Sequence, residues 1–523
     1  MMVGLSWKVS IDTLLLSLWM VGVAGAPDQQ PVLSDAPPPS TVAFNLPLYH
    51  RDDPSFLMRK QMAGMLTVGQ QAERARKNRR EVIAKRLRRD VARVESIQRR
   101  MIRAFMGRGE FKEDEEAEKQ ATAANGGGGN SPAWVVDMDI GANVSEPVST
   151  GMIDGSGEFF TTMGVGYDEF LLAIDTGSDL IWLQCLPCFS CYQQSGPMFN
   201  PAASPTFRPV GCAASEGCSE TDIMTCSGGG LCIYQQSYGD GSFTAGTVAR
   251  DNFYVGGGGQ RASSMIQASV LMGCGHDNEG LFVGEAGLLG LGRGTLSFAS
   301  QVASRTGGVF SYCLPSWNAA SMGSLTFGPP TPSSSSAADG AGRVYSPLLT
   351  NPQRDLATFY YVQLVGVSVD GQPVAGVRAT DLALRPSGRG GLIVDSGTTV
   401  SRLVTAFYYP LRNAFREASR RRGHLLPRVY SVFDTCYSPP PAIALPANFP
   451  SLQLQFEGMA SMTLPPENVM FDVGDENFPL LCFAFAPTST DFSILGNIQQ
   501  QGFLMTFDTQ ASRLGFQSNQ CST

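Results

Sequence analysis

The chain has 523 residues, 43% of them hydrophobic and 16% charged, with a formal net charge of −8. That apolar content is too high, and the charge per residue too low, for a largely disordered protein, and the length allows more than one core. No apolar run reaches the roughly 20 residues of a membrane-spanning helix, and a shorter run near the N-terminus comes nearest.

Residues 1–26 begin with Lys8, continue through the mostly apolar run Thr13–Val21 and close on Ala24-Gly25-Ala26. A basic start, a short apolar centre and an A-x-A exit predict a secretory signal peptide. An uncleaved anchor or a plastid transit peptide is the alternative.

Residues 27–130 are of a different kind. A Pro-rich stretch (27–47) leads into residues 51–108, where 17 Lys+Arg face 6 Asp+Glu, a net of +11. Residues 71–107 lack Pro and, until Gly107, Gly, and are rich in Arg, Ala and Glu, which predicts a helix. Leu87, Val91, Val94, Ile97 and Met101 recur at three- to four-residue steps and share one face, ringed by arginines. A solvated charged helix is the bland interpretation; a nucleic-acid arm or an intramolecular lid are the functional ones. An acidic cluster (Glu113, Asp114, Glu115, Glu116, Glu118) and the run Gly126–Gly129 predict a flexible linker, with a domain boundary near 120–135.

The remainder, residues 131–523, holds 18 arginines, no lysine and 31 acidic residues, a net of −13. Short β-prone runs such as Phe170–Ile174, Phe359–Val362 and Leu392–Val394, separated by Gly, Ser and Pro, predict a mainly β architecture. Gly256–Gly259, Pro329–Gly342 and Pro439–Pro441 read as surface loops, and Thr405–Arg421 as the one helix. All twelve cysteines lie between Cys185 and Cys521, an even number that predicts six disulfides in an oxidising compartment. The tight spacing Cys185-x-x-Cys188-x-x-Cys191 is the one hint of a metal site. Zinc needs four well-spaced ligands, yet the chain has only His50, His276 and His424 and no second C-x-x-C, so no metal is expected.

An internal repeat points to a duplicated lobe. Ile174-Asp175-Thr176-Gly177-Ser178 follows one apolar strand, and Val394-Asp395-Ser396-Gly397-Thr398 follows another, 220 positions later. Each is echoed downstream, by Leu288-Leu289-Gly290 and by Ile494-Leu495-Gly496. One Asp-x-Gly turn alone is ordinary turn chemistry. Two of them, each at the end of a buried strand, are different, because an unpaired buried carboxylate is costly. Brought together, two carboxylates can share one proton.

The turns, with Trp182, Tyr238-Gly239-Asp240-Gly241-Ser242, Gly273-Cys274-Gly275-His276-Asp277-Asn278 and Ile494–Gln501, resemble the pepsin-type aspartic proteases. The cysteine-rich detail resembles the plant nepenthesin-like branch, including the aspartic protease in guard cell group. The likeness covers residues ~155–521 in the family's order.

The resemblance implies a mainly β, bilobal pepsin-like fold, with two pseudo-symmetric lobes and the active site in the cleft between them. The expected division is a signal peptide (1–26), a basic helical propeptide and Gly-rich linker (27–130), an N-terminal lobe (131–345) and a C-terminal lobe (346–523). Asp175 and Asp395 match the catalytic pair, one acting as base on a water while the other polarises the scissile carbonyl. Thr176, Gly177, Ser178, Ser396, Gly397 and Thr398 match the supporting positions; Ser396 departs from the commoner Thr. Tyr238 matches the tyrosine of a closing flap, and Trp182 a wall of the substrate pocket.

Among the cysteines, the resemblance implies pairs Cys212–Cys232, Cys218–Cys226, Cys313–Cys521 and Cys436–Cys482. It also implies that Cys185, Cys188, Cys191 and Cys274 pair among themselves. Expected, then, is a secreted endopeptidase made as a zymogen: monomeric, without cofactor, acting on peptides and inhibited by its own propeptide. The apoplast is the expected site, with vacuole or plastid as alternatives. A pepsin-fold inhibitor that has lost catalysis is the competing interpretation, although such relatives lose one catalytic turn and both are intact here. Nucleic-acid binding through residues 74–108 fits poorly with a signal peptide and an acidic main body. Asn143-Val144-Ser145 is the only N-glycosylation sequon. The charge asymmetry and the absence of lysine after Lys119 both suit a basic piece that leaves an acidic body on acidification.

Overall fold

The computed structural model describes residues 44–50, 68–106 and, apart from short internal stretches, 158–518. The signal segment, the acidic cluster at 113–118, the glycine run, Asn143 and Cys521 lie outside the described residues.

Alternation of apolar residues with turn formers produces strands here, as expected, and they assemble into a pepsin-like fold of two lobes. The largest sheet opens with β1 (Phe44–His50), which lies antiparallel between Gly323–Phe327 and β2 (Phe159–Val165). Strand β2 pairs with β3 (Asp168–Asp175). The strand at residues 44–50 was not foreseen, because its neighbours read as Pro-rich and basic. Its hydrogen bonds come from the slot between two strands of the lobe, a partner that local composition does not reveal.

The last strands of the chain, Phe503–Asp508 and Arg513–Ser518, return to this sheet. Phe503–Asp508 pairs with Val309–Cys313, and Arg513–Ser518 pairs with Val344–Pro347. Phe310, Phe327, Tyr360 and Phe507 gather in the core there, with Phe310 and Phe507 stacked at 4.6 Å between ring centres. The second lobe is built on a five-stranded sheet that includes Leu392–Val394, Ser493–Leu495 and Ser401–Val404. The expected helix spans Thr405–Arg421 and buries Phe407, Tyr408, Leu411, Phe415 and Ala418.

The basic stretch is a long helix, α1 (Val68–Met106). Its apolar seam is buried against the second lobe in two patches. Ile83 and Leu87 meet Val400, Phe433, Phe471 and Ile498. Val94, Ile97 and Met101 meet Phe359, Tyr361, Ile393, Phe492 and Ile494, while Val91 is half-buried. Arg100 lies over the ring of Phe359, and Arg389 over that of Phe105, at 5.0 and 5.1 Å. Each fully buried aliphatic side chain contributes roughly 1.5–3 kcal/mol. Apolar contact therefore contributes to the docking alongside the charge attraction.

Two of the expected disulfides are exchanged. The structure joins Cys212 to Cys226 and Cys218 to Cys232, not Cys212 to Cys232 and Cys218 to Cys226. Burial sorts them: Cys218 and Cys232 sit in the core, while Cys212 is half-buried and Cys226 exposed. Cys185–Cys274, Cys188–Cys191 and Cys436–Cys482 agree with expectation. Cys313 is disulfide-bonded, and its expected partner Cys521 lies outside the described residues. The closely spaced Cys185, Cys188 and Cys191 thus serve two different disulfides.

Candidate active site

Both Asp turns emerge from buried strands. Phe170–Ile174 is apolar almost throughout because β3 is covered on both faces, and its carboxyl end delivers Asp175 beside the parallel strand Gly287–Gly290. Leu392–Val394 delivers Asp395 beside the parallel strand Ser493–Leu495 in the same way. The downstream echoes of the repeat are these neighbouring strands. The Leu291 N–H donates to the Asp175 carbonyl at 2.8 Å, and the Asp395 N–H donates to the Leu495 carbonyl at 3.1 Å. Gln500 Nε2 adds a bond to the Asp395 carbonyl at 3.1 Å, and Asn497 Nδ2 one to the Ser396 carbonyl at 2.9 Å.

The two turns brace each other reciprocally. The Thr176 N–H donates to Ser396 Oγ at 3.1 Å, and the Ser396 N–H donates to Thr176 Oγ1 at 2.8 Å. Serine at the second position supplies the oxygen that threonine would.

Each carboxylate is held alike. Gly177 N–H reaches Asp175 Oδ1 and Gly397 N–H reaches Asp395 Oδ1, both at 3.0 Å. Ser178 Oγ and Thr398 Oγ1 donate to the respective Oδ2 atoms at 2.6 and 2.5 Å. Glycine is required at both turns by close approach. A Cβ on Gly177 would lie 2.8 Å from Asp395 Oδ1, and one on Gly397 would lie 2.7 Å from Asp175 Oδ1. Both carboxylates are buried and aimed at the same space.

That space holds a guanidinium. Arg93 of α1 donates Nε to Asp395 Oδ2 at 3.0 Å, and its Nη2 reaches Asp395 Oδ1 at 3.0 Å and Asp175 Oδ1 at 2.5 Å. Burial alone pushes Asp175 up. The charge of Arg93 and the hydrogen bonds from Ser178, Arg93 and Gly177 outweigh it, leaving the carboxyl below its ordinary range. Burial disfavours the Arg93 cation, but the two carboxylates more than offset this and raise its pKa well above the usual value. A cation that bridges both carboxyl groups offsets the repulsion between like charges set side by side.

Tyr238 and Trp182 meet directly: Trp182 Nε1 donates to the Tyr238 hydroxyl at 2.8 Å. The Tyr238 N–H donates to the Ser242 carbonyl at 2.7 Å. Phe282, which the sequence did not single out, sits edge-on to Trp182 (5.1 Å) and Tyr238 (5.8 Å), and Tyr192 also contacts it. Burial and the nearby Asp175 raise the Tyr238 hydroxyl well above its usual pKa, so it stays protonated. With α1 in place, the cleft between Tyr238, Phe282, Glu158 and Thr399 keeps a cavity of only about 40 Å³.

Three charged residues here escaped the sequence: Asp90, Arg93 and Arg402. A signal existed. Ile83, Leu87, Asp90, Val94, Ile97 and Met101 form an unbroken 4-3-4-3-4 seam, and Asp90 is the one charge on it. Asp90 is buried and paired with Arg402, which is buried too.

Comparison with known proteins bears on the site. Sequence profiles described as "Xylanase inhibitor N-terminal" and "Xylanase inhibitor C-terminal" match residues 159–329 and 359–518. Aspartyl protease family protein 2 of Arabidopsis thaliana is 43% identical over 72% of this chain and 74% of its own length. Protein ASPARTIC PROTEASE IN GUARD CELL 2 of the same plant is 39% identical over 72% and 75%. Aspartic proteinase nepenthesin-1 of Nepenthes gracilis is 35% identical over 72% and 80%. Two solved structures share the fold. One is titled edgp (TM-score 0.55, 21% identity, 71% of this chain and 92% of that one), and the other is conglutin gamma from lupine seeds (TM-score 0.53, 18% identity, 69% and 92%). The chain belongs to the plant pepsin-type aspartic proteases and is an aspartic endopeptidase.

Proposed function

We propose that the chain is made as a latent precursor in the secretory pathway, bound for the apoplast, and that it hydrolyses peptide bonds at acidic pH once α1 has left the cleft. The observation that carries this is Arg93, whose guanidinium fills the space between Asp175 and Asp395 where a nucleophilic water must stand. After release, the two carboxylates share one proton. The ionised carboxylate takes a proton from the water as it attacks, and the protonated one donates to the carbonyl oxygen. The tetrahedral intermediate then collapses: the carboxyl that took the water's proton passes it to the nitrogen, the other carboxylate regains a proton from a hydroxyl of the intermediate, and the C–N bond breaks. Ser178 and Thr398 keep the outer oxygens occupied, so the inner ones face the water. Tyr238 and Phe282 close over the peptide and limit water access.

The intact pair of turns supports catalysis over the inert alternative suggested by the inhibitor name of the matching profiles. Arg93 is engaged by the two aspartates and Arg100 lies over Phe359, so these two arginines point into the protein rather than towards a phosphate backbone.

The test is to hold purified full-length protein at pH 7 and at about pH 3.5 with a quenched peptide substrate. Expected are latency at pH 7, loss of the N-terminal segment with appearance of cleavage in acid, and inhibition by pepstatin. Full activity of the uncleaved protein at pH 7 would contradict latency. No cleavage at any pH after the helix is removed would favour the inert alternative.

A further inference from the structure

One turn before Arg93, the carboxylate of Asp90 sits in a separate site beside the catalytic pair. Its Oδ1 accepts the N–H of Thr399 at 2.6 Å and that of Val400 at 3.0 Å, and its Oδ2 accepts from Arg402 Nη2. Asp90 is 3% exposed and Arg402 5%. All three donors belong to the segment that follows the Asp395 turn, whereas Asp90 belongs to α1.

Arg402 occupies the strand Ser401–Val404, every residue of which is buried. Among the described residues its ion pair is with Asp90, and its Nε has no hydrogen-bond partner. When α1 departs, the guanidinium and the two backbone N–H groups around the vacated Asp90 position are left without that acceptor. A nearly buried cation in that state is uncompensated until another anion arrives. Two N–H groups and a guanidinium converging on one carboxylate also match the geometry that a carboxylate prefers.

We infer that Thr399, Val400 and Arg402 form a carboxylate-binding subsite of the substrate cleft, filled by Asp90 in the precursor and by an Asp or Glu side chain of the peptide in the released enzyme. This rests on the protease reading above. The helix supplies two groups in register: Arg93 replaces the reacting water, and Asp90 replaces an acidic substrate side chain. Arg402 is thereby a specificity-determining residue rather than a catalytic one.

The experiment uses acid-processed protein and amide-capped peptides at about pH 5, where a free Glu side chain is mostly ionised. Matched Glu and Gln peptides vary one position at a time on both sides of the scissile bond. At one position kcat/KM for Glu should exceed that for Gln by about tenfold. In Arg402→Gln that ratio should fall to about one, and in Arg402→Glu a Lys-bearing peptide should become the preferred one. A ratio near one at every position for the unmodified protein would overturn the inference without any variant having to fold. A preference seen only for peptides with a free terminal carboxylate would overturn the side-chain assignment.

A second readout needs no cleavage. A labelled, amide-capped peptide of residues 83–105 should bind the processed protein about tenfold more tightly than its Asp90→Asn form. Equal binding of the two would overturn the inference. Failure to cleave any peptide, with the Asp90 preference retained, would sink the protease reading and leave the carboxylate subsite standing.

Discussion

Arg93 meets Asp395 with two parallel donors, Nε to Oδ2 and Nη2 to Oδ1, both at 3.0 Å. Nη2 also reaches Asp175, so one side chain of α1 spans both Asp turns. It places a fixed positive charge on the axis relating the two turns.

Replacing Arg93 by Ala should free the cleft. Removing one partner of a buried charge pair costs about 3–5 kcal/mol, and here it would leave two carboxylates face to face. Unprocessed Arg93→Ala protein should cleave a peptide at pH values where the unmodified full-length chain is expected to be silent. Arg93→Lys keeps the charge without the fork and should be intermediate. The initial rate of unprocessed protein, with the N-terminal segment verified intact, measures this; equal latency in all three would speak against the plug.

The pH dependence has a definite sign. Asp175 is lowered in the docked state, chiefly because Arg93 and its hydrogen bonds overcome burial. A lowered carboxyl favours docking fully above the ordinary Asp value, about 4, and stops doing so as pH falls through the lowered one. Exposure of α1 to an added protease, followed against pH, should therefore rise below about pH 4. A midpoint at neutral pH, or one unchanged in Arg93→Ala, would be inconsistent.

The apolar seam should matter at every pH. Leu87→Asp sets a carboxylate among the buried apolar side chains of Val400, Phe433 and Ile498, where a charge is costly. Detachment of α1 should then occur even at pH 7. The exposed Arg88 is the control, and Arg88→Ala should leave docking unchanged in the same proteolysis assay.

The brace between the turns is testable on its own. Thr176→Val removes the acceptor of the Ser396 N–H and strands a buried donor, at about 1–3 kcal/mol. The melting temperature should fall by a few degrees. The rate should fall through kcat, with KM little changed, because the carboxylate alignment loosens and the pocket walls do not.

What the sequence made legible follows from period and repetition. The helix over 71–107 and that over 405–421 carried their own spacing, and the Asp turns announced themselves by duplication. Arg93 did not, because it is one arginine among many and its partner lies 302 positions away. Asp90 was visible as a charge on an apolar seam, but only a partner as buried as Arg402 gives it meaning. The pairing of Cys212 and Cys218 was decided by which sulfurs face the core, a property of the folded loop. The strand Phe44–His50 depends wholly on the slot that receives it.

The central claim is that Asp175 and Asp395 together activate one water. The most direct measurement is kcat/KM on a quenched peptide at about pH 3.5, using protein freed of α1, for the unmodified chain and for Asp175→Asn and Asp395→Asn. General acid–base work by a positioned side chain is worth about 10²–10⁴-fold, so each variant should lose about 10³-fold or more while keeping its fold. Full activity in either variant would contradict the account.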